Sequence, residues 1–498
     1  MSRTFRLYDT MSKTVKELKP SEPEHLRFYS CGPTVYSFAH IGNFRTFLTA
    51  DLIVRTAKAL GWKVTYASNI TDVGHLTQDD QADAGGEDKM ARALSSKEGA
   101  QFNNVWELAE HYEDCFIEDW ARLNLVPPTI RPRATQHMKE QIEAISDLIK
   151  QGKAYETPTG VYFSVASFPE YGKLSGNKQD DLMTAVREIV QDDNKRDPRD
   201  FALWKKDDKH LMQWYSPWGW GFPGWHLECS CMARAYLGDT IDLHGGGEDL
   251  VFPHHECEIA QSESMTGQPF CGHWVHTRFL QVDGEKMAKS KGNYYTVRDL
   301  VNDKGVNPLA LRFALISTPY GRPFNFTLQL LSDCVKHVNR IQEAEKKVAE
   351  ALGGSVKDHA GTANPEFQRL YDEALDALTD DLNTSVALAK LLEGIKAIMR
   401  DSFSTPSDAS AAAWFLNKME DLLGLIRGDY SSAGDVVVQA EVKDDQAERI
   451  ESLILARAEA KKARDFARAD AIRAQLDDEG IELRDSPTGT TWVRKSAI

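Results

Sequence analysis

The sequence predicts an α/β protein: an open parallel sheet interrupted by an insertion, then a helical bundle and a small α+β unit. Three observations predict it. Strand-like and helix-like runs alternate from about residue 24 to 117 and again from Thr240 to Val282, as a parallel sheet with crossover helices requires. Short, proline-broken segments separate these two stretches. Beyond about residue 328, apolar residues recur almost purely at helical spacing.

The elements follow in order. A strand-like run, Leu26 to Ser30, leads through Cys31-Gly32-Pro33-Thr34-Val35-Tyr36 and His40-Ile41-Gly42-Asn43 into a helix-like run from Phe44 to Gly61. Such a junction aims backbone N–H groups and the positive end of the helix dipole at a phosphate. A second strand-like run spans Lys63 to Ile70 and overlaps Asn69-Ile70-Thr71-Asp72. Pro127-Pro128, Pro132, Pro158 and Pro169 then break up a region containing one polar helix candidate, Arg133 to Gln151; this is the insertion. The α/β pattern resumes with a strand at Thr240 to Leu243, Gly245-Gly246-Gly247 at its end, a helix from His254 to Met265 and a strand from Trp274 to Val282. Lys286-Met287-Ala288-Lys289-Ser290 follows, its two ammonium groups on a loop flanked by Gly284 and Gly292 and able to close over a phosphate.

Three apolar stripes predict bundle helices: Leu331, Val335, Val338, Ile341 and Val348; Phe367, Leu370, Tyr371, Ala374, Leu375 and Leu378; and Leu388, Leu391, Leu392, Ile395 and Ile398. Segments of small and polar residues, Gly353 to Pro365 and Ser402 to Ala413, separate the helices. After the loose stretch Ser431 to Asp445 comes a basic helix, with strand candidates at Ile481 to Arg484 and Thr490 to Arg494. The expected domains are 1–117 with 223–327, the insertion 118–222, the bundle 328–430 and a terminal unit 445–498.

At 498 residues the chain is too long for one core, and 42% hydrophobic with 27% charged residues is the composition of a folded, soluble protein. No apolar run approaches membrane-spanning length, and the polar start, Met1 to Lys19, lacks the apolar stretch of a signal peptide. Seven cysteines do not make a disulfide framework; Cys229, Cys231 and Cys257 near histidines point to reduced thiols and a metal, hence the cytoplasm. A net charge of −16 argues against indiscriminate nucleic-acid binding while leaving room for a local basic surface. Arg457, Lys461, Lys462, Arg464, Arg468 and Arg473 offer one, although the same pattern fits a solvated helix face.

The order H-x-G-x then K-M-x-K-S resembles the class I aminoacyl-tRNA synthetases. The surrounding words narrow the resemblance to cysteinyl-tRNA synthetases: Cys31 to Tyr36, Asn69 to Asp72, Pro223-Gly224-Trp225-His226-Leu227-Glu228-Cys229-Ser230, His244 to Leu250, and Phe252-Pro253-His254-His255-Glu256. Matching segments run from about residue 5 to about residue 495. The resemblance implies a Rossmann-like nucleotide-binding catalytic domain, an insertion serving the acceptor end of a tRNA, a bundle on the anticodon side, and a terminal tRNA-binding unit marked by Lys462 to Asp470 and Ser486 to Thr490. It also implies a reaction. Cysteine and ATP, with Mg2+, give cysteinyl-adenylate, and the cysteinyl group passes to the 3'-terminal ribose of tRNA(Cys). The expected protein is a monomer.

Site residues follow from the motifs. His40, Lys286 and Lys289 are expected to contact the ATP phosphates, with Gly42 allowing close backbone approach and the Asn43 amide able to donate. By resemblance Gly32, Gly245, Gly246 and Asp249 border the bound nucleotide and substrate, and Thr71, Trp225 and His226 wall the cysteine pocket. One Zn2+ is expected on Cys31, Cys229, His254 and Glu258. His254 and Glu258, four residues apart on a helix, face the same way. The residue pattern alone leaves Cys231 and Cys257 as competitors, and it is the resemblance that selects Glu258. Zinc fits the task, because a thiolate is a good ligand for it and a serine hydroxyl a poor one.

Three positions depart from the commoner family words: Asn43 for histidine, Ala288 for serine and Phe222 for arginine. Trp214, Trp218 and Trp220 read as core. Two rivals remain. One is a ligase joining cysteine to an amino-sugar, which has no use for the roughly 170 residues after Leu328 that include Asp381-Leu382-Asn383-Thr384; the other is an RNA-binding relative without catalysis, which has no use for His40, Lys286 and Lys289.

Overall fold

The computed structural model describes residues 3–76, 87–177 and 194–426 and, toward the C-terminus, 453–454, 456–457, 460–461, 465–478, 481–486 and 489–494. Residues Met1–Val436 and Val437–Ile498 are two separate compact units.

The first unit is built on a four-stranded parallel sheet. Its elements are β1 (His25–Ser30), α1 (Ile41–Ala59), β2 (Lys63–Ser68), α2 (Trp225–Leu237), β3 (Leu243–Gly247), α3 (Glu256–Thr266) and β4 (Trp274–Thr277). The strand order is β4-β3-β1-β2, with every neighbour parallel. Helix α1 begins three residues earlier than its apolar pattern suggests, because His40 caps it: the His40 ring accepts from the Asn43 N–H, and the Asn43 side chain accepts from the His40 N–H. Nearly every α1 residue from Phe44 to Ala57 is buried, since the helix lies between the sheet and the helices that follow. Asp51, on α1, is fully buried and paired with Arg55 and Arg312, whose guanidinium also reaches the carbonyls of Leu123 and Leu423. A charge taken out of water needs such complete pairing.

Two strand expectations change. The strand expected at Thr240 to Leu243 runs instead from Leu243 to Gly247, so the glycine run is itself strand. Without side chains, it carries no apolar alternation to be read. The strand expected from Trp274 to Val282 divides, because the chain bends at Arg278 and Phe279, both held by the Glu248 carboxylate at 2.6 Å. Leu280–Val282 then joins a second sheet between Glu285–Lys286 and Phe324–Phe326. Asp283 and Gly284, both at positive φ (51° and 80°), make its tight hairpin turn. Lys286 therefore stands on a short strand.

The segment between the halves of the parallel sheet carries helices Val105–Arg122 and Met138–Lys150 and an antiparallel five-stranded sheet of Ala154–Thr157, Gly160–Phe163, Phe201–Lys205, Gly219–Pro223 and Trp214–Ser216. Its core (Phe163, Phe201, Trp204) is continuous with Tyr29, Cys31 and Cys229. Trp220 is 61% exposed, not core, because it lies on the outer strand pair of this sheet beside Tyr215.

The bundle contains Leu328–Leu352, Pro365–Thr379, Thr384–Arg400 and a fourth helix, Pro406–Leu423. Much of the fourth falls where a loose segment was expected. Its small residues are contacts and not a linker: Ala409, Ala411, Ala412 and Ala413 are buried, and a Cβ on Gly394 of the neighbouring helix would come within 2.2 Å of the Phe415 ring.

The second unit contains the helix Phe466–Asp478 and an antiparallel pair, Ile481–Ser486 with Gly489–Arg494. Lys462 and Arg464, and the stretch Ser431 to Asp445, lie outside the described residues. Among the described residues no helix is long and apolar enough to cross a membrane.

Candidate active site and metal centre

The strands β1 and β3 end side by side, and the chemistry-bearing residues gather there, as ligand sites do in open α/β sheets. Cys31 follows β1 directly, Cys229 lies on α2, the turn into α3 supplies His254, and α3 itself supplies Glu258. Cys31 Sγ stands 3.9 Å from Cys229 Sγ and 3.7 Å from Glu258 Oε1, and His254 Nε2 is 2.9 Å from the same oxygen. All four residues are buried, and their ligand atoms lie within 4.8 Å of one another. A second, overlapping group contains Cys31, His244, His255 and Glu258. In it His255 Nε2 is 3.3 Å from Cys31 Sγ, and His244 Nε2 is 2.8 Å from Glu258 Oε2. His255 stands three residues before Glu258, a helical spacing that marks it in hindsight, whereas His244 lies on a strand and has no such signal. Cys257 turns instead to the Tyr171 hydroxyl at 3.3 Å, and Cys231 to the Glu140 carbonyl at 3.9 Å; neither joins either group.

The electrostatics suit a cation. Burial pushes the Glu258 carboxyl up, but His244 and His254 outweigh it and bring it down to about 2. Burial lowers His254, yet Glu258 and Cys229 raise it to about 10. The Cys229 thiol is lowered, chiefly by its hydrogen bond with Cys31, whose own thiol burial and Cys229 drive up. With His254 raised and Glu258 lowered the two make a buried ion pair, and a metal ion would compete with the His254 proton for these donors. Two sulfurs, one imidazole and one carboxylate are the donors of a transition-metal site. His226 backs the candidate ligand His254, Nδ1 to Nδ1 at 2.9 Å, as an outer partner that fixes the ring.

The second group of motif residues gathers at the start of α1. Because the His40 Nδ1 accepts from Asn43, its ring proton belongs on Nε2. Burial lowers the His40 pKa to about 4, with Lys289 acting in the same direction, so the ring is a neutral donor. The lysine loop meets this helix start from about 240 residues away. Ile41 N–H donates to the Tyr295 carbonyl at 3.0 Å, and the Tyr294 ring stands edge-on to His40 at 5.4 Å and 5.2 Å from Lys289 Nζ. Met287 Cε lies 3.1 Å from where a Gly42 Cβ would be. Asn293, which sequence reasoning passed over, staples the loop by accepting from the Ala288 N–H and donating to the Lys286 carbonyl. Asp249 is pushed up by burial, with Lys286 pulling the other way, so the first lysine and the glycine-loop carboxylate share one field.

Close approach explains the glycines. A Cβ on Gly32 would sit 1.6 Å from the Asn69 carbonyl oxygen, and one on Gly246 would sit 2.8 Å from the His255 ring. Gly245 accepts the Cys31 N–H at 3.2 Å. Trp225 packs against the His254 ring at 4.4 Å, and the Thr71 hydroxyl lies 3.0 Å from Glu228 Oε2. Phe222, standing where arginine is commoner, is fully buried and stacks on His210 at 3.7 Å.

Comparison with known proteins gives the family. The family described as tRNA synthetases class I (C) catalytic domain matches residues 17–336. A cysteine–tRNA ligase of Salinibacter ruber is 51% identical over 100% of this chain and 99% of its own length. One of Chlorobaculum tepidum is 39% identical over 99% of this chain and all of its own. Among solved structures, a methionyl-tRNA synthetase of Mycobacterium tuberculosis bound by methionyl-adenylate superposes with a TM-score of 0.56 at 13% identity, covering 82% of this chain and 92% of that one; this likeness is one of fold. With its motif pair at the ends of a parallel sheet and full-length relatives at this identity, the chain belongs to the cysteine–tRNA ligase family of class I tRNA synthetases.

Proposed function

We propose that this protein is a cysteine–tRNA ligase in which the His40 end of α1 and the K-M-A-K-S loop handle ATP while the Cys31–Cys229–His254–Glu258 group, holding one zinc ion, selects cysteine. The reaction has two steps. The cysteine carboxylate attacks the α-phosphate of ATP, giving cysteinyl-adenylate and pyrophosphate. A hydroxyl of the tRNA's 3'-terminal ribose then attacks the cysteinyl carbonyl and releases AMP.

The first step needs alignment and charge neutralisation more than covalent help. His40 Nε2–H donates to a phosphate oxygen, and Gly42 lets the α1 backbone approach it. Lys286 and Lys289, with Mg2+ on the nucleotide, neutralise the departing pyrophosphate; losing one such contact typically costs about 3–4 kcal/mol in the transition state. Gly245, Gly246 and Asp249 border the adenosine. Trp225 and His226 hold the His254 ring in place beside the cysteine pocket.

Zinc supplies a coordination position that favours a thiolate over a hydroxyl. The discrimination matters, because a small size difference in an apolar pocket is worth only about 1–3 kcal/mol. Both sulfurs, one imidazole and one carboxylate meeting within 4.8 Å at the end of the parallel sheet is the observation that carries this reading. On it rest the remaining assignments: the antiparallel insertion serves the acceptor end, the four-helix region and the Val437–Ile498 unit serve the anticodon side, and the protein works as a cytoplasmic monomer.

The test is charging of a cysteine-anticodon tRNA by the zinc-loaded protein, with labelled cysteine and with serine as competitor. ATP-dependent attachment of cysteine with little serine is expected. Cysteine activation without attachment to tRNA would move the assignment to a ligase with another acceptor.

A further inference from the structure

Beside the metal group runs a chain of hydrogen bonds whose direction is fixed at each link. The Gly32 backbone N–H can only donate, and it donates to the Asn69 side chain at 2.8 Å, which identifies the acceptor there as the amide oxygen. The Asn69 NH2 therefore faces Thr71 and donates to its hydroxyl at 3.1 Å. The Thr71 hydroxyl donates onward to Glu228 Oε2 at 3.0 Å. The other Glu228 oxygen accepts from His75 Nε2 at 2.7 Å. Asn69, Thr71, His75 and Glu228 are all buried, so water does not compete for these bonds.

The consequence falls on Thr71. Its proton is committed to Glu228 and one lone pair to Asn69, which leaves a single lone pair. The hydroxyl can accept one more hydrogen bond and can donate none. The chain also lies against the metal group: Asn69 Oδ1 is 3.8 Å from Cys229 Sγ, and Glu228 precedes Cys229 on α2. A cysteine whose sulfur sits at that group carries its ammonium on the carbon next to the thiol-bearing one, and an ammonium only donates.

We propose that Glu228, held by His75, is a positioning residue that makes the Thr71 hydroxyl an obligate acceptor for the α-ammonium group of the amino-acid substrate. This rests on the reading of the site as a cysteine site. Glu228 touches no substrate; it acts through Thr71. Recognition of the thiol and recognition of the amino group are then separate, the first at the metal group and the second along this chain.

The test compares cysteine with 3-sulfanylpropanoate, which is cysteine without its amino group. Calorimetric affinities are measured on the full-length, metal-loaded protein. The wild type should prefer cysteine by about 10- to 100-fold, the range of a hydrogen bond to a charged group. Glu228→Gln should cut that preference by about tenfold, because the amide brings a competing N–H and no charge. Thr71→Val should do the same and Thr71→Ser should keep the preference, while 3-sulfanylpropanoate affinity, ATP affinity and metal content stay unchanged in all three. Equal losses for both ligands, or an undiminished preference in Glu228→Gln and Thr71→Val, would overturn the proposal. If Glu228→Gln does not fold, the Thr71→Val and Thr71→Ser pair decides, and equal preference in those two overturns it. Wild-type protein that makes no cysteine-dependent ATP–pyrophosphate exchange would reject the reading of the site itself, a separate failure.

Discussion

Cys229 Sγ approaches Cys31 Sγ, and both belong to the group that includes His254 and Glu258, so replacing this one sulfur tests the whole assignment. In Cys229→Ser the metal affinity should fall by more than the about 10- to 100-fold that loss of an outer partner costs, and cysteine affinity should fall with it. ATP affinity should hold, because the proposed phosphate contacts are other residues, His40, Lys286 and Lys289. Metal content and paired calorimetric titrations would check this; unchanged metal and cysteine binding would sink it. His40 makes a different prediction. With its pKa lowered to about 4, the ring is neutral throughout pH 5.5 to 8. His40→Asn, which keeps a neutral donor, should show the same pH profile of ATP–pyrophosphate exchange as the wild type across that range. A wild-type limb near 6.5 that vanishes in the variant would show that the charged ring does the work. At this scale the sequence is readable where the pattern is local: helical spacing puts His254 and Glu258 on one face, though it leaves Cys257 open as well, and His40 is marked by its loop. It is silent on His75, Glu228 and Asn69, whose roles exist only once β2's end meets α2.

The N-terminus of α1 shows the same limit one level up. Asn43 reads as a weakened phosphate donor, yet its carboxamide oxygen is occupied capping the His40 N–H, so the residue also builds the helix end that presents His40. Asn43→Ala should cost about 1 kcal/mol of stability, readable in a urea titration, and lower exchange activity through a misplaced His40. Strands and helices that announce themselves by alternation, such as β1 and the stripe beginning at Leu331, were legible. The glycine strand β3 and the alanine-rich Pro406–Leu423 helix were not, because small residues pack by proximity and leave no apolar pattern to read. The bend at Arg278 was illegible for another reason: Glu248, which causes it, is 30 residues away.

At the scale of the molecule, a net charge of −16 means that a polyanionic tRNA must be met by local basic surfaces. The Met1–Val436 unit contains both motif loops and the whole metal group, and Val437–Ile498 is compact by itself. A protein ended at Val436 should therefore keep cysteine-dependent ATP–pyrophosphate exchange and lose tRNA affinity. The ratio of exchange to charging, measured at several salt concentrations, would reveal it; exchange lost together with charging would show that the terminal unit supports the catalytic part. The overall plan, a parallel sheet with an insertion and a helical continuation, was legible because composition changes character at each junction.

The backbone crossing at Gly32 also shapes what this gene can explore. No side chain, however small, fits 1.6 Å from the Asn69 carbonyl, whereas Gly321 and Gly354 have no heavy atom within 4 Å of a new Cβ. In a randomised library under growth selection, position 32 should return a single allele while positions 321 and 354 drift freely. Inheritance at that one codon would be frozen by the path of a neighbouring strand.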